Sequence, residues 1–158
     1  MVKLKEFLID TNVVITAAGQ IGEAWAVVIL EEVAKGKIPA CTTAMNLQEI
    51  LELFCFTGQR FLGQKMHRCF KEIVDRVLPV SVSDFDASYR LFKKHPAKSP
   101  RELLHAAVTM NHKVTKIFAL DGPDYSDIST IQVLKLKNLL QALKLPGNYI
   151  YERTGQEG

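Results

Sequence analysis

Asp10 stands directly behind one apolar run, Glu6-Phe7-Leu8-Ile9, and Asp121 directly behind another, Lys116-Ile117-Phe118-Ala119-Leu120. Between them, Glu49 and Glu102 sit inside stretches with helical spacing, and Asp124 follows Asp121 after Gly122-Pro123. Carboxylates gathered in one place repel, which raises their pKa values and weakens the fold unless cations sit among them. All-oxygen clusters suit hard ions such as Mg²⁺ or Mn²⁺, which keep several waters and bind phosphate oxygens. Two such ions about 3.5–4 Å apart can activate a water and stabilise the leaving oxygen of a phosphodiester. In that chemistry the acids hold the metals and do not themselves attack.

The elements that must bring these acids together read as strands alternating with helices. Glu6–Ile9, Lys37–Cys41, Val77–Val80, Lys116–Leu120 and Ile131–Leu134 are expected strands. Ala24–Ala34, Thr43–Phe56, Phe61–Val74, Phe85–Phe92 and Pro100–Met110 are expected helices, with a last one near Leu139–Leu143. Alternation of this kind argues for βαβ units and a parallel sheet. The expected architecture is a three-layer α/β/α sandwich with a central parallel sheet of four to five strands. Right-handed crossovers put the carboxyl ends of all strands on one edge, where open α/β sheets bind ligands. Asp10 and Asp121 both end strands there.

The two glutamates are placed by helical periodicity, about 100° per residue. Leu47, Ile50, Leu51 and Phe54 form a core face, and Glu49 falls opposite, sharing its side with Leu53 and Phe56. A carboxylate among apolar neighbours needs a partner or a metal. In the Pro100–Met110 helix, Leu103, Ala106, Ala107 and Met110 are expected to point inward, and Glu102, His105 and Thr109 to form a polar stripe. Each acid also has a plainer role open to it. Asp10 could cap a helix starting after Thr11, Glu49 could be a surface residue, and Asp124 could serve a turn. Ser99-Pro100-Arg101-Glu102 matches a capping box with proline at the first helical position. His105 reads as a helix-surface or core-edge residue, and His67, His95 and His112 show no ligand spacing.

Composition adds bounds. At 158 residues the chain suits a single domain over residues 1–158, with residues 147–158 expected to be a flexible tail. The first residues, Met1-Val2-Lys3-Leu4-Lys5-Glu6-Phe7, do not look like a signal peptide, and no run approaches the roughly 20 apolar residues of a membrane span. The three cysteines, Cys41, Cys55 and Cys69, lack a CxxC pair and read as buried, reduced core residues of a cytoplasmic protein. A net charge of +3 permits nucleic-acid binding without arguing for it. Lys65, Arg68, Lys71 and Arg76 cluster in one stretch and Lys93, Lys94, Lys98 and Arg101 in another; either could track a phosphate backbone or be a solvated face.

Taken together, the motifs resemble those of the PIN domain, and the resemblance runs from Phe7 to about Leu134. Phe7-Leu8-Ile9-Asp10-Thr11-Asn12 is similar to that family's opening strand and acid. Leu47-Gln48-Glu49-Ile50-Leu51 is similar to its helix glutamate, and Arg101-Glu102-Leu103-Leu104-His105-Ala106-Ala107 to its third motif. Ile117-Phe118-Ala119-Leu120-Asp121-Gly122-Pro123-Asp124-Tyr125 is similar to the fourth. The resemblance implies Mg²⁺ or Mn²⁺ in an acidic pocket and endonucleolytic cleavage of RNA. It would make Asp10, Glu49, Glu102 and Asp121 the metal-holding catalytic acids, Asp124 an auxiliary acid, and Thr11 or Asn12 residues that orient the cluster. Many small family members are toxins of VapBC-type toxin–antitoxin pairs, which dimerise and are silenced by an antitoxin, so RNA, an antitoxin and a homodimer are the implied partners.

Two departures stand out. Glu102 occupies a place where Asp is usual, and Ala119 one where Ser or Thr is frequent. Both leave room for a PIN-like RNA-binding module that has lost activity. A haloacid-dehalogenase-type phosphatase would want a second Asp two residues after Asp10, where this chain has Asn12. Finally, apolar residues at Trp25, Val28, Ile29, Phe54 and Phe56 on more than one helix face suggest either an interface or buried packing.

Overall fold

The computed structural model describes residues 6–19, 24–119, 125, 127–135 and 139–141. Five short strands, β1 (Phe7–Ile9), β2 (Ala40–Thr43), β3 (Arg76–Leu78), β4 (Lys116–Phe118) and β5 (Gln132–Leu134), pair in the order β3-β2-β1-β4-β5. Every pairing is parallel. Six helices fill the crossovers: α1 (Thr11–Ala18) and α2 (Ala24–Ala34) after β1, α3 (Ala44–Phe56) and α4 (Arg60–Ile73) after β2, α5 (Val82–Lys94) and α6 (Pro100–Asn111) after β3. The sheet grows from β1 outward through β2 to β3, then continues with β4 on the other side of β1. The strand order therefore reverses between β1 and β4, and crevices in such sheets open at that switch point. Asp10 ends β1 there, its amide donating to the carbonyl of Phe118 at 3.0 Å.

Both faces of the sheet are buried, as a parallel sheet requires. Phe7 and Ile9 face a core made with Val13, Trp25, Ile29, Ile50, Phe54 and Phe70 from α1 to α4. Leu8, between them, faces the opposite core with Leu103, Ala106 and Val108 of α6 and with Tyr125, Ile128 and Ile131. The three-layer α/β/α sandwich expected from the sequence is the observed fold, with five strands.

The element bounds differ from the expected ones for local reasons. β2 starts at Ala40 because Gly36 turns with φ 69° and Pro39 has no N–H for the ladder. β3 ends at Leu78 because Pro79 cannot donate. α5 begins three residues earlier than periodicity suggests, since Ser81 and Asp84 form a capping box. Of the helix expected near Leu139–Leu143, residues 139–141 are helical and the rest lies outside the described residues, as does the tail.

Burial corrects three expectations. Cys41 is buried, but Cys55 and Cys69 are exposed; all three are free thiols. Of the proposed apolar surface, Trp25, Val28, Ile29 and Phe54 are core residues of the monomer, and only Phe56, 83% exposed, stands in solvent. α2 buries Trp25, Ala26, Val28, Ile29 and Val33 and leaves Val27 and Glu31 in solvent, so its apolar run serves mainly the monomer core. The polar stripe on α6 is not solvated either: His105 and Thr109 are buried, while Met110 is partly exposed. Among the described residues no helix is long and apolar enough to cross a membrane.

Candidate active site

The site is built where β1, β2 and the helices that follow them start. Thr11 opens α1 with its side chain buried, its Oγ 2.8 Å from Glu49 Oε2 and 2.9 Å from Asn46 Oδ1. Its single proton serves the carboxylate, the stronger acceptor. Asn46 is the third residue of α3, whose N-terminus is capped by the Thr43 hydroxyl accepting from the Asn46 amide. The Asn46 amide group donates to the carbonyl of Ile9 at 3.1 Å and to Thr42 Oγ1 at 3.2 Å. It thereby fixes the carboxyl end of β1 against that of β2 and sets the start of α3, from which Glu49 projects one turn further on.

Glu49 is only 8% exposed, yet it is fully partnered. Arg101 Nε donates to Oε1 at 2.6 Å and Arg101 Nη2 meets Oε2 at 2.5 Å, a two-pronged pairing. His105 Nε2 lies 3.1 Å from Oε1. Burial acts to raise the Glu49 pKa, but hydrogen bonds from His105, Arg101 and Thr11, with the His105 charge, outweigh it and hold the carboxyl at about 2. Arg101 and His105 are one helical turn apart on α6, so a single face of that helix meets the acid. His105 Nδ1 is buried with no hydrogen-bond partner among the described residues, so the ring's one polar contact there is Nε2 on the Glu49 carboxylate.

Asp10 behaves in the opposite way. It occupies the N-cap position of α1 with extended backbone, but its side chain makes no capping bond. The plain reading of Asp10 as a cap therefore fails. Burial pushes its carboxyl above the ordinary range; His105 and the Thr11 amide pull it back, and the Glu49 charge pushes it up again. Two carboxylates within electrostatic reach, their pKa values shifted in opposite directions, thus stand at the β1/β4 switch point.

Glu102 is placed differently. Its Oε2 accepts from the Ser99 amide at 2.8 Å while the Ser99 hydroxyl accepts from the Glu102 amide at 3.2 Å, the reciprocal capping box that Ser99-Pro100 announces. Tyr125 ties this helix start to the chain beyond β4: its phenol donates to the Glu102 carbonyl at 3.2 Å. Burial, then the charges of Asp10, Glu102 and Glu49, push the Tyr125 phenol upward. Asn12 is half-buried in the first turn of α1. Asp121 and Asp124 lie outside the described residues.

The sequence thus locates Asp10, Thr11 and Glu49 in one place, and does not reveal Asn46, Thr42, Arg101, His105 and Tyr125 as members of the same network. Arg101 reads as part of a basic cluster, and the one available signal was its spacing of four from His105. Of that basic cluster Lys98 binds Asp127 at 2.9 Å and Lys93 lies over the Tyr89 ring, while Lys65, Arg68 and Lys71 of α4 stay exposed.

The donor chemistry fits a hard divalent cation. Asp10 and Glu49 offer carboxylate oxygens, and burial raises the Asp10 carboxyl although the His105 and Arg101 charges act against it. Among the described residues no three acids, histidines or cysteines converge into a complete metal cage.

A parallel five-stranded sandwich with acids at its switch point defines a class of α/β protein that works at the carboxyl edge of its sheet. Comparison with known proteins narrows that class. No family model matches the chain. Over 93 residues it is 28% identical to a VapC ribonuclease of Mycobacterium bovis and to ribonuclease VapC13 of Mycobacterium tuberculosis, covering 59% of this chain and 71% of theirs. Among solved structures it resembles VapBC2 of Rickettsia felis bound to a promoter DNA fragment, with TM-score 0.66 and 13% identity over 82% of this chain and 98% of that one. It also resembles DNA-bound VapBC of Salmonella typhimurium, with TM-score 0.65 and 12% identity over 84% of this chain and 98% of that one. The resemblance to PIN-domain, VapC-like proteins drawn from the motifs is borne out, in sequence likeness and in fold.

Proposed function

We propose that the chain is a metal-dependent endoribonuclease that hydrolyses RNA phosphodiester bonds, acting as the toxin of a toxin–antitoxin pair. The observation that carries this reading is geometric: buried Glu49 is hydrogen-bonded to Thr11, the residue after Asp10 at the end of β1, in a chain similar over 93 residues to proteins named VapC ribonucleases. Mg²⁺ or Mn²⁺, when bound, would lower the pKa of a water and neutralise charge on the phosphate. The chain's own residues do the rest. Asp10 and Glu49 would hold the cation; the sequence resemblance adds Glu102 and Asp121 to that set, with Asp124 auxiliary. Thr11 and His105 fix the Glu49 rotamer, and Asn46 fixes the backbone that carries both acids. Exposed Lys65, Arg68 and Lys71 supply positive charge for the RNA backbone. An antitoxin and a second copy of the chain are the expected protein partners. Exposed apolar side chains at Leu51, Phe56 and Phe61, and along α5 at Val82, Phe85, Tyr89 and Phe92, give them surface to cover.

The test is incubation of the partner-free protein with a mixed RNA panel in Mg²⁺ or Mn²⁺, with EDTA and Asp10→Asn as controls. Cutting abolished by both controls is the expected result. Metal-supported RNA binding by folded protein without any cutting would assign it instead as a PIN-like RNA-binding module.

A further inference from the structure

Glu49 has four hydrogen-bond donors on its two oxygens, and they are not equally permanent. Thr11 and His105 are buried on the first turn of α1 and inside α6, and neither can leave without opening the core. Arg101 is different: 64% of its side chain is exposed, it stands in the first turn of α6, and its long stem can swing into water. Its two prongs nonetheless take the open side of the carboxylate, one on each oxygen. A cation bound by Glu49 needs at least one of those positions.

We propose that Arg101 is a built-in competitor for the divalent cation, holding Glu49 when no metal is present and surrendering that carboxylate when one binds. The inference rests on the reading of Asp10 and Glu49 as metal-holding acids. Position and charge favour the exchange. A guanidinium paired with Glu49 covers oxygens that a cation would take, and its like charge repels the incoming metal. Without metal the reverse holds: a nearly buried carboxylate needs a counter-ion, and Arg101 supplies one in the two-pronged form that binds carboxylates best. The residue therefore keeps the metal-free fold sound and sets how much divalent cation is needed to load it.

The experiment is calorimetric titration of Mn²⁺ into chelator-stripped wild type, Arg101→Ala and Arg101→Lys, with circular dichroism to confirm folding. Removing a competitor tightens binding, whereas removing a merely structural residue weakens it. The expected result for Arg101→Ala is a Kd lower by roughly three- to ten-fold. Arg101→Lys, with a point charge in place of a fork, should fall between the two. In EDTA the Arg101→Ala melting temperature should drop, and Mn²⁺ should raise it by more than it raises wild type. Mn²⁺ affinity unchanged or weaker in folded Arg101→Ala, with wild type binding normally, overturns the competitor role and leaves the metal site standing. Should Arg101→Ala not fold, Arg101→Lys decides by the same comparison. Absence of Mn²⁺ binding in wild type and both variants at millimolar concentration overturns the metal reading and this inference with it.

Discussion

Glu49→Gln gives the sharpest test of how the site is held together, because its effect has both a size and a pH dependence. The Glu49 carboxyl is held at about 2 against an ordinary 4.5. Each pKa unit is worth about 1.4 kcal/mol, which puts the charge's contribution at no more than about 3 kcal/mol. Arg101, one of the main donors, is largely exposed, so solvent screening brings the expected figure to ~2 kcal/mol. A carboxyl whose pKa is depressed on folding stabilises the fold fully above its unfolded value and loses that stabilisation as pH falls through its folded value. The gap between wild type and Glu49→Gln should therefore be complete at neutral pH and close as the pH falls from 4.5 towards about 2. Urea unfolding of both proteins in EDTA, across that range, measures it. A gap independent of pH, or a variant more stable than wild type at neutral pH, would refute the claim that internal donors satisfy this acid without metal.

Asp10→Asn should do the reverse in the same assay. A carboxyl whose pKa is raised by burial opposes folding above its ordinary value of 3.8, so the metal-free variant should be more stable than wild type at neutral pH, with the advantage gone below 3.8. Gly63→Ala should destabilise by ~1–3 kcal/mol in thermal or urea unfolding, because an added Cβ would lie 2.7 Å from Phe54 Cβ, and this outweighs the gain in helix propensity. Ser99→Ala should cost ~1 kcal/mol by breaking the capping box at the start of α6. It should also loosen the Arg101–Glu49 pairing, seen as a smaller Glu49→Gln effect in its background.

Much of the architecture was legible because its signals are local. The apolar run ending at Asp10 and the alternation of strand-like and helix-like segments specify a parallel sandwich, and Ser99-Pro100-Arg101-Glu102 specifies a helix start that the structure reproduces bond for bond. Where the reading slipped, the cause was a tertiary fact. Periodicity puts His105 and Thr109 on a polar stripe, but α6 has α5 on one side and the sheet on the other, so its polar stripe is interior. Cys55 and Cys69 carry a side chain that is usually buried, yet their positions on α3 and α4 face outward.

The site was half legible for the same reason. An acid at a strand's end can be read from its flanking residues, but helical periodicity puts Glu49 beside Leu53 and Phe56, which are exposed, whereas Glu49 is buried on the side of Leu47 and Ile50. Its partner depends on which helix the crossover brings alongside. Fifty-two residues separate Arg101 from Glu49, and nothing in the spacing of either motif points to the other. The same pairing distinguishes the two acids: α6 delivers its arginine and histidine to Glu49 as hydrogen bonds, while on Asp10 the two act through their charge alone. A cation drawn to this crevice would therefore relieve Asp10 first and have to displace Arg101 to engage Glu49, so the asymmetry between the two acids, rather than their number, sets the order in which the site fills.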